Sequence, residues 1–178
     1  MEKLRHISFL KLLDHLFSYM KLTKVYNKCP EKYKYLNDLI YLEKDDPKVF
    51  AVDALLWLKR ALEFTSCLMN SLISEGRSGT PRENLSHLVG SAYEKMLKKH
   101  HNWFVQNLFK VILTAFPTRS GIIRIFYYGE DGPEDPAIEA LETYIAELDC
   151  NLEVIVKFYD EWGLEKIEDS SDKKKTGN

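Results

Sequence analysis

Apolar residues recur at steps of three and four along most of the chain, the spacing of one face of an α-helix, and strand-like alternation is nearly absent. A first helix is predicted over about 4–27, carried by Leu10, Leu13, Phe17 and Met20. Pro30 is expected to open a second helix through about 42, because proline suits a first turn, and the acidic segment 43–47 reads as a turn. A third helix is predicted over about 47–74. Leu55, Leu58, Leu62, Met69 and Leu72 make one apolar stripe on it, and Trp57, Ala61, Phe64 and Leu68 make a second beside it. A surface helix needs only one stripe, so this helix is expected to be buried on two sides or to serve a second apolar client.

The segment 75–81 reads as a loop from its Gly, Ser and Pro content. Helical pattern resumes near Arg82 and runs to Phe116, with a bend expected around 100–102. The part from Trp103 onward is apolar almost all round and is predicted to be a central helix that ends at Pro117. A short helix is predicted over 120–128 and a loop over 129–132. Asp135 is expected to cap a last helix with Pro136 at its first position. Along it Ile138, Leu141, Ile145, Leu148, Leu152, Ile155, Tyr159 and Trp162 form a continuous seam, and Gly163 is the expected stop. Residues 1–165 thus read as one all-α domain, and 166–178 as a polar tail expected to be disordered.

Composition narrows the partners. The 178 residues carry a net charge of −2, so no global basic field exists to hold nucleic acid. Any membrane contact must be local and partly apolar. Three separated cysteines, Cys29, Cys67 and Cys150, show no metal-binding or disulfide-framework spacing, and reduced thiols in the cytosol are expected. No apolar run approaches the ~20 residues that span a bilayer. The start of the chain is charged and amphipathic and lacks a small-residue cleavage site, so it is read as part of the fold.

Candidate chemistry is sparse. Phosphate-loop, HExxH and GxSxG patterns are missing, so neither an enzyme, a metal site nor a cofactor is expected. His100 and His101 are adjacent and would point ~100° apart on a helix. Asp14, Ser18 and Lys21 share one face of the first helix, which on pattern alone is simply a solvated stripe. His101 shares a helical stripe with Leu97, Val105, Leu108 and Ile112; it is either a satisfied core histidine or a donor aimed into an apolar cavity. Trp57 is either core or a flat platform for the C–H side of a sugar ring. Lys59 and Arg60 are expected to point to other faces than Trp57.

Two segments carry a resemblance. Asp53–Ala54–Leu55–Leu56–Trp57–Leu58–Lys59–Arg60–Ala61–Leu62–Glu63–Phe64 resembles the tryptophan helix of the glycolipid transfer protein family, and Ala92–Tyr93–Glu94–Lys95–Met96–Leu97–Lys98–Lys99–His100–His101–Asn102–Trp103 resembles its histidine helix. The ending Tyr159–Asp160–Glu161–Trp162–Gly163–Leu164–Glu165 is most similar to the lipid-transfer domain of the four-phosphate adaptor proteins. The resemblance implies a two-layer all-α sandwich that binds a lipid headgroup at its surface and the hydrocarbon chains between its layers. It implies a cytosolic carrier that takes one glycosphingolipid and meets membranes transiently. The implied headgroup residues are Asp14, Ser18, Lys21, Trp57 and His101. Phe64, Leu97, Phe109, Ile122 and Tyr144 are implied to line the hydrocarbon tunnel, and Trp103, Lys98 and Lys99 to contact the membrane.

The chain departs from the family pattern in two places. Ser18 stands where relatives that bind glycolipid usually carry asparagine, so a looser or altered sugar contact is expected. The family's usual first helix is not found, so an incomplete layer and a more open pocket are expected. Asp53 and Trp57 stand where relatives that carry ceramide 1-phosphate have basic residues, which favours a neutral sugar. Arg60 and Lys21 keep a phosphate headgroup as the alternative. A lipid sensor or helical scaffold without transfer activity is a further one.

Overall fold

A computed structural model describes residues 20, 22–35, 38, 41 and 51–165, and among them every regular element is helical. The longest are α1 (Ala51–Arg77) and α5 (Glu134–Glu161); between them in sequence come α2 (Ser86–Met96), α3 (Trp103–Thr114) and α4 (Arg119–Phe126). None of these is long and apolar enough to cross a membrane.

The seam read from the sequence builds the architecture. α1 packs along α5 on one side and against α2 on the other, while α3 rests on α2 and α4 on α5. The two long helices run antiparallel, as three polar crosslinks show. Tyr159 Oη donates to the Val52 carbonyl (2.7 Å), Ser66 and Asn70 donate to the Asp149 carboxylate, and Arg77 grips Glu142 with two hydrogen bonds of 2.9 Å.

Two apolar clusters share this pair of helices. The larger joins Leu68 and Leu72 of α1 to Val89 and Tyr93 of α2, Phe109 of α3, Ile122 of α4 and the first half of the α5 seam. The smaller joins Leu55 and Leu56 of α1 to Ile155 and Tyr159 at the far end of α5, with Leu22 and Tyr33. Burial of each such side chain contributes about 1.5–3 kcal/mol. On the second stripe of α1 Leu68 is buried, Phe64 partly so, and Trp57 is 36 % exposed. That stripe leaves the core and surfaces at the tryptophan.

Several expectations are corrected. Residues 30–35 form turns rather than a helix, because the Cys29 carbonyl accepts from Lys32 and Tyr33. Asp38 and Tyr41 are helical, and Asp38 Oδ2 reaches back to the Tyr35 N–H (2.7 Å), the return half of a capping box. The third helix does not stop before Gly76 but runs to Arg77. Gly76 is there for space, since a Cβ would strike the Arg119 guanidinium. The stretch from Arg82 to Phe116 is not one bent helix; α2 starts only at Ser86, and the chain breaks between α2 and α3 around a 3₁₀ turn at Lys98–His100. The short helix begins at Arg119, where Thr118 Oγ1 caps it by accepting from the Gly121 N–H (3.2 Å). α5 opens at Glu134 with Pro133 as its cap, and Pro136 falls within the first turn, where its missing N–H costs nothing.

α3 is also not central. Trp103 is 77 % and Phe104 64 % exposed, and Phe109 alone of this helix is buried. Its all-round apolarity comes from a second face turned to solvent. Gly163 stops α5 as expected. Its φ of 59° lets its N–H reach Asp160 O (3.1 Å) while the Leu164 N–H reaches Tyr159 O (3.0 Å), a Schellman turn.

Candidate headgroup site

The break between α2 and α3 creates the site. His101 leaves the 3₁₀ turn with extended backbone (φ −110°, ψ 131°). Its N–H donates to Lys98 O (3.2 Å) and its carbonyl accepts from Gln106 Nε2 (2.7 Å). Asn102 then caps α3 by accepting from the Val105 N–H (3.0 Å). His101 therefore does not share a helical stripe with Leu97, Val105, Leu108 and Ile112. Its ring instead lies against Trp57 of α1, with centroids 5.9 Å apart and planes 21° from parallel.

The imidazole is oriented from behind. Tyr93 Oη sits 3.0 Å from His101 Nδ1. Burial pushes the Tyr93 phenol above its ordinary value, so it stays protonated and holds the ring by a hydrogen bond whichever of the two groups donates. In the tautomer in which the phenol donates, the neutral ring carries its proton on Nε2 and presents a hydrogen-bond donor there. Tyr93 also stacks on Phe109 (3.6 Å, 9°), and Phe109 meets Phe64 edge-on (6.3 Å, 90°). A continuous aromatic path thus runs from Trp57 at the surface through His101, Tyr93 and Phe109 to Phe64 in the core.

The other expected positions divide. Phe109 and Ile122 are buried in the larger cluster, with Phe64 and Leu97 packed against it. Tyr144 is 62 % exposed at the edge of the α5 seam, because Leu141, Ile145 and Leu148 take the inward positions. It is not part of an apolar lining. Lys98, Lys99 and Trp103 are all exposed, and Lys98 is paired with Glu94 (2.8 Å). Asp14, Ser18 and Lys21 lie outside the described residues. A groove of about 880 Å³ follows the outer face of α1 past Ser66, Asn70 and Asp149, and neither Trp57 nor His101 lines it.

A buried charge cluster adjoins the indole. The Arg60 guanidinium stands 5.1 Å from the Trp57 ring centroid, so the expectation that Arg60 points elsewhere fails; a residue three positions on shares the helix face. Lys59 does turn away, over the Tyr159 ring (5.8 Å). Both cations are at least 95 % buried and both bind Glu165, at 2.6 Å from Lys59 Nζ and 3.4 Å from Arg60 Nε. Lys59 also meets Glu63 (3.3 Å). Burial works to raise the Glu165 pKa, but the Lys59 hydrogen bond and the charges of Lys59 and Arg60 outweigh it and hold the group below the ordinary carboxylate value.

His100 Nε2 is 3.7 Å from Glu165, while His100 Nδ1 is buried without a hydrogen-bond partner. Burial, with the nearby charges of Arg60 and Lys99, lowers its pKa to about 4. Because the folded value lies below the unfolded one, the unfolded chain takes up this proton first as pH falls. Stability should drop by roughly 2 kcal/mol between about pH 7 and pH 5 on this account alone. Glu165 acts in a separate window, since its contribution is lost only as pH falls below the ordinary carboxylate range. His100→Leu should flatten urea-unfolding stability over the higher window; an unchanged slope would contradict the assignment.

The family model described as glycolipid transfer protein (GLTP) matches residues 12–127. The glycolipid transfer protein of Danio rerio is 31% identical over 144 residues, covering 78% of this chain and 69% of that one. A solved structure of FAPP2, described as selecting simple glycosphingolipids with the GLTP fold, superposes with a TM-score of 0.77 at 21% identity, over 94% of this chain and 80% of that one. Human ceramide-1-phosphate transfer protein in complex with 12:0 ceramide-1-phosphate gives 0.76 at 20% identity, over 90% and 78%.

Proposed function

The chain belongs to the glycolipid transfer protein family, and we propose that it binds a single glycosphingolipid and carries it between membranes without altering it covalently. The observation that carries this reading is the stack of Trp57 on His101 where the second apolar stripe of α1 surfaces. The indole offers a flat apolar face to a sugar ring. The His101 N–H can donate to the ceramide amide carbonyl, and the carboxylate of Asp14 would accept from the amide N–H. In a water-poor site, leaving either amide group unpaired costs about 1–3 kcal/mol, so a lipid lacking the amide is disfavoured. Each CH₂ removed from water contributes roughly 0.8 kcal/mol, which favours carriage and leaves discrimination to the headgroup.

In this reading Ser18 and Lys21 complete the sugar contacts, and Phe64, Leu97, Phe109 and Ile122 part to admit the chains. Residues 1–165 form the lipid-binding unit. The protein works from the cytosol and docks through the exposed Trp103, Lys98 and Lys99, joined by Phe104, which sequence reasoning missed. A sugar is favoured over a phosphate because position 57 is an indole and Asp53, one turn earlier, is an exposed carboxylate. Vesicle-to-vesicle transfer of fluorescent galactosylceramide and ceramide 1-phosphate by the purified chain, side by side, tests this. Faster movement of galactosylceramide is expected. Transfer of ceramide 1-phosphate alone, or of neither lipid, would refute the proposal.

A further inference from the structure

We infer that Glu165 sets the charge preference of the headgroup site, holding it to uncharged sugars by countering the buried Arg60 beside Trp57 and the buried Lys59 behind it. The inference rests on the reading of Trp57 as the headgroup platform. Lys59 and Arg60 stand two and three residues after it on α1, and Arg60 lies against the indole while Lys59 turns to the Tyr159 ring. Without a carboxylate from the chain, a buried guanidinium against a headgroup platform, with a second cation behind it, would draw a sulfate or phosphate. Glu165 occupies that role from within the chain, with one carboxylate oxygen on Lys59 and the other facing Arg60 and His100.

Its position is fixed by the chain stop before it. The Schellman turn at Gly163 ends α5 and returns the backbone over the first half of α1, two residues before the carboxylate. Leu164 packs against the smaller core cluster, which holds the return in place. Glu165 is thus a positioning residue. It acts on the lipid through Arg60 and through the local charge, without touching the sugar.

Galactosylceramide and its 3-sulfate differ by one anionic group on the same sugar, so the ratio of their transfer rates reads the charge preference alone. In Glu165→Gln the site gains one unit of positive charge at nearly constant shape. The sulfated-to-neutral ratio should rise at least threefold, and Glu165→Asp should stay near the wild-type ratio. If Glu165→Gln loses its helical circular dichroism, Arg60→Gln in the presence of Glu165 carries the test, and there the ratio should fall. An unchanged ratio, or a parallel loss of both activities, in a folded Glu165→Gln overturns the inference while leaving the transfer function intact. A wild-type chain that moves neither lipid overturns the inference together with the function it depends on.

Discussion

Trp57→Ala should reduce galactosylceramide transfer more than tenfold while the helical circular dichroism stays at the wild-type level. The side chain is 36 % exposed at the end of an apolar stripe, so its removal opens no cavity in either core cluster. Alanine is also the better helix former. What disappears is the platform. Stacking contributes roughly 1 kcal/mol beyond area burial, and apolar area adds about 25 cal/mol per Å². Together these exceed the ~1.4 kcal/mol that a tenfold change requires. His101 would also lose the ring it lies against, which loosens the donor aimed at the amide. Retained transfer in a folded Trp57→Ala variant would remove the indole from the site.

Glu134→Ala should lower stability by about 3 kcal/mol, a large loss for a partly exposed residue. Arg119 is only 3 % exposed, yet it holds three elements together. Its backbone N–H donates to Glu83 O (2.9 Å), its Nε to Glu134 (2.7 Å), and its two terminal nitrogens to Leu72 O of α1 (3.3 Å each). Removing the carboxylate leaves a buried guanidinium with a carbonyl and only the neighbouring Glu83 charge. The cost falls at the low end of the range for broken buried pairs because Glu134 is itself partly exposed. For a domain of this size the melting temperature should fall by roughly 6–12 °C. Arg119→Met combined with Glu134→Ala should recover part of the loss, since the charge is then gone from both sides. Thermal melts of the single and double variants decide it. Additive losses would show that the pair does not act as a unit.

What the sequence made legible follows from what periodicity can carry. The α5 seam and both α1 stripes obey a helical spacing. The burial of Ile138, Leu141, Ile145, Leu152, Ile155 and Tyr159 on the one and of Leu55, Leu68 and Leu72 on the other follows from it, while Trp162 and Trp57 at their ends are exposed. Gly163 was readable because a glycine after the last seam position has one common use. Gly76 has the same identity and the opposite meaning. Its reason is the Arg119 side chain, which arrives from another helix. α3 was misplaced because apolarity all round has two causes, burial on every side and a face held ready for something other than protein.

In the site, Trp57 and His101 could be named from motif resemblance. No spacing rule brings them together, because the chain break at Asn102 sets the direction of His101. Tyr93 was missed as the group that fixes the imidazole, although it lies only eight residues away, since helical continuity was assumed across the break. Glu165 was missed for a different reason. Its bond to Lys59 spans 106 residues, and no local pattern marks a carboxylate that returns to a distant helix.

The corner at His101–Asn102–Trp103 has one more consequence. Gln106 ties down its first residue and the Asn102 cap joins it to the first turn of α3, so it behaves as a fixed bracket rather than a hinge. Two residues of backbone reach at most ~7 Å. On the proposed function, the imidazole that would read a cargo amide and the indole that would meet the bilayer stand on the same short bracket. Cargo leaving a membrane beneath Trp103 would then meet the imidazole next to it, and no long-range motion would have to relay the message.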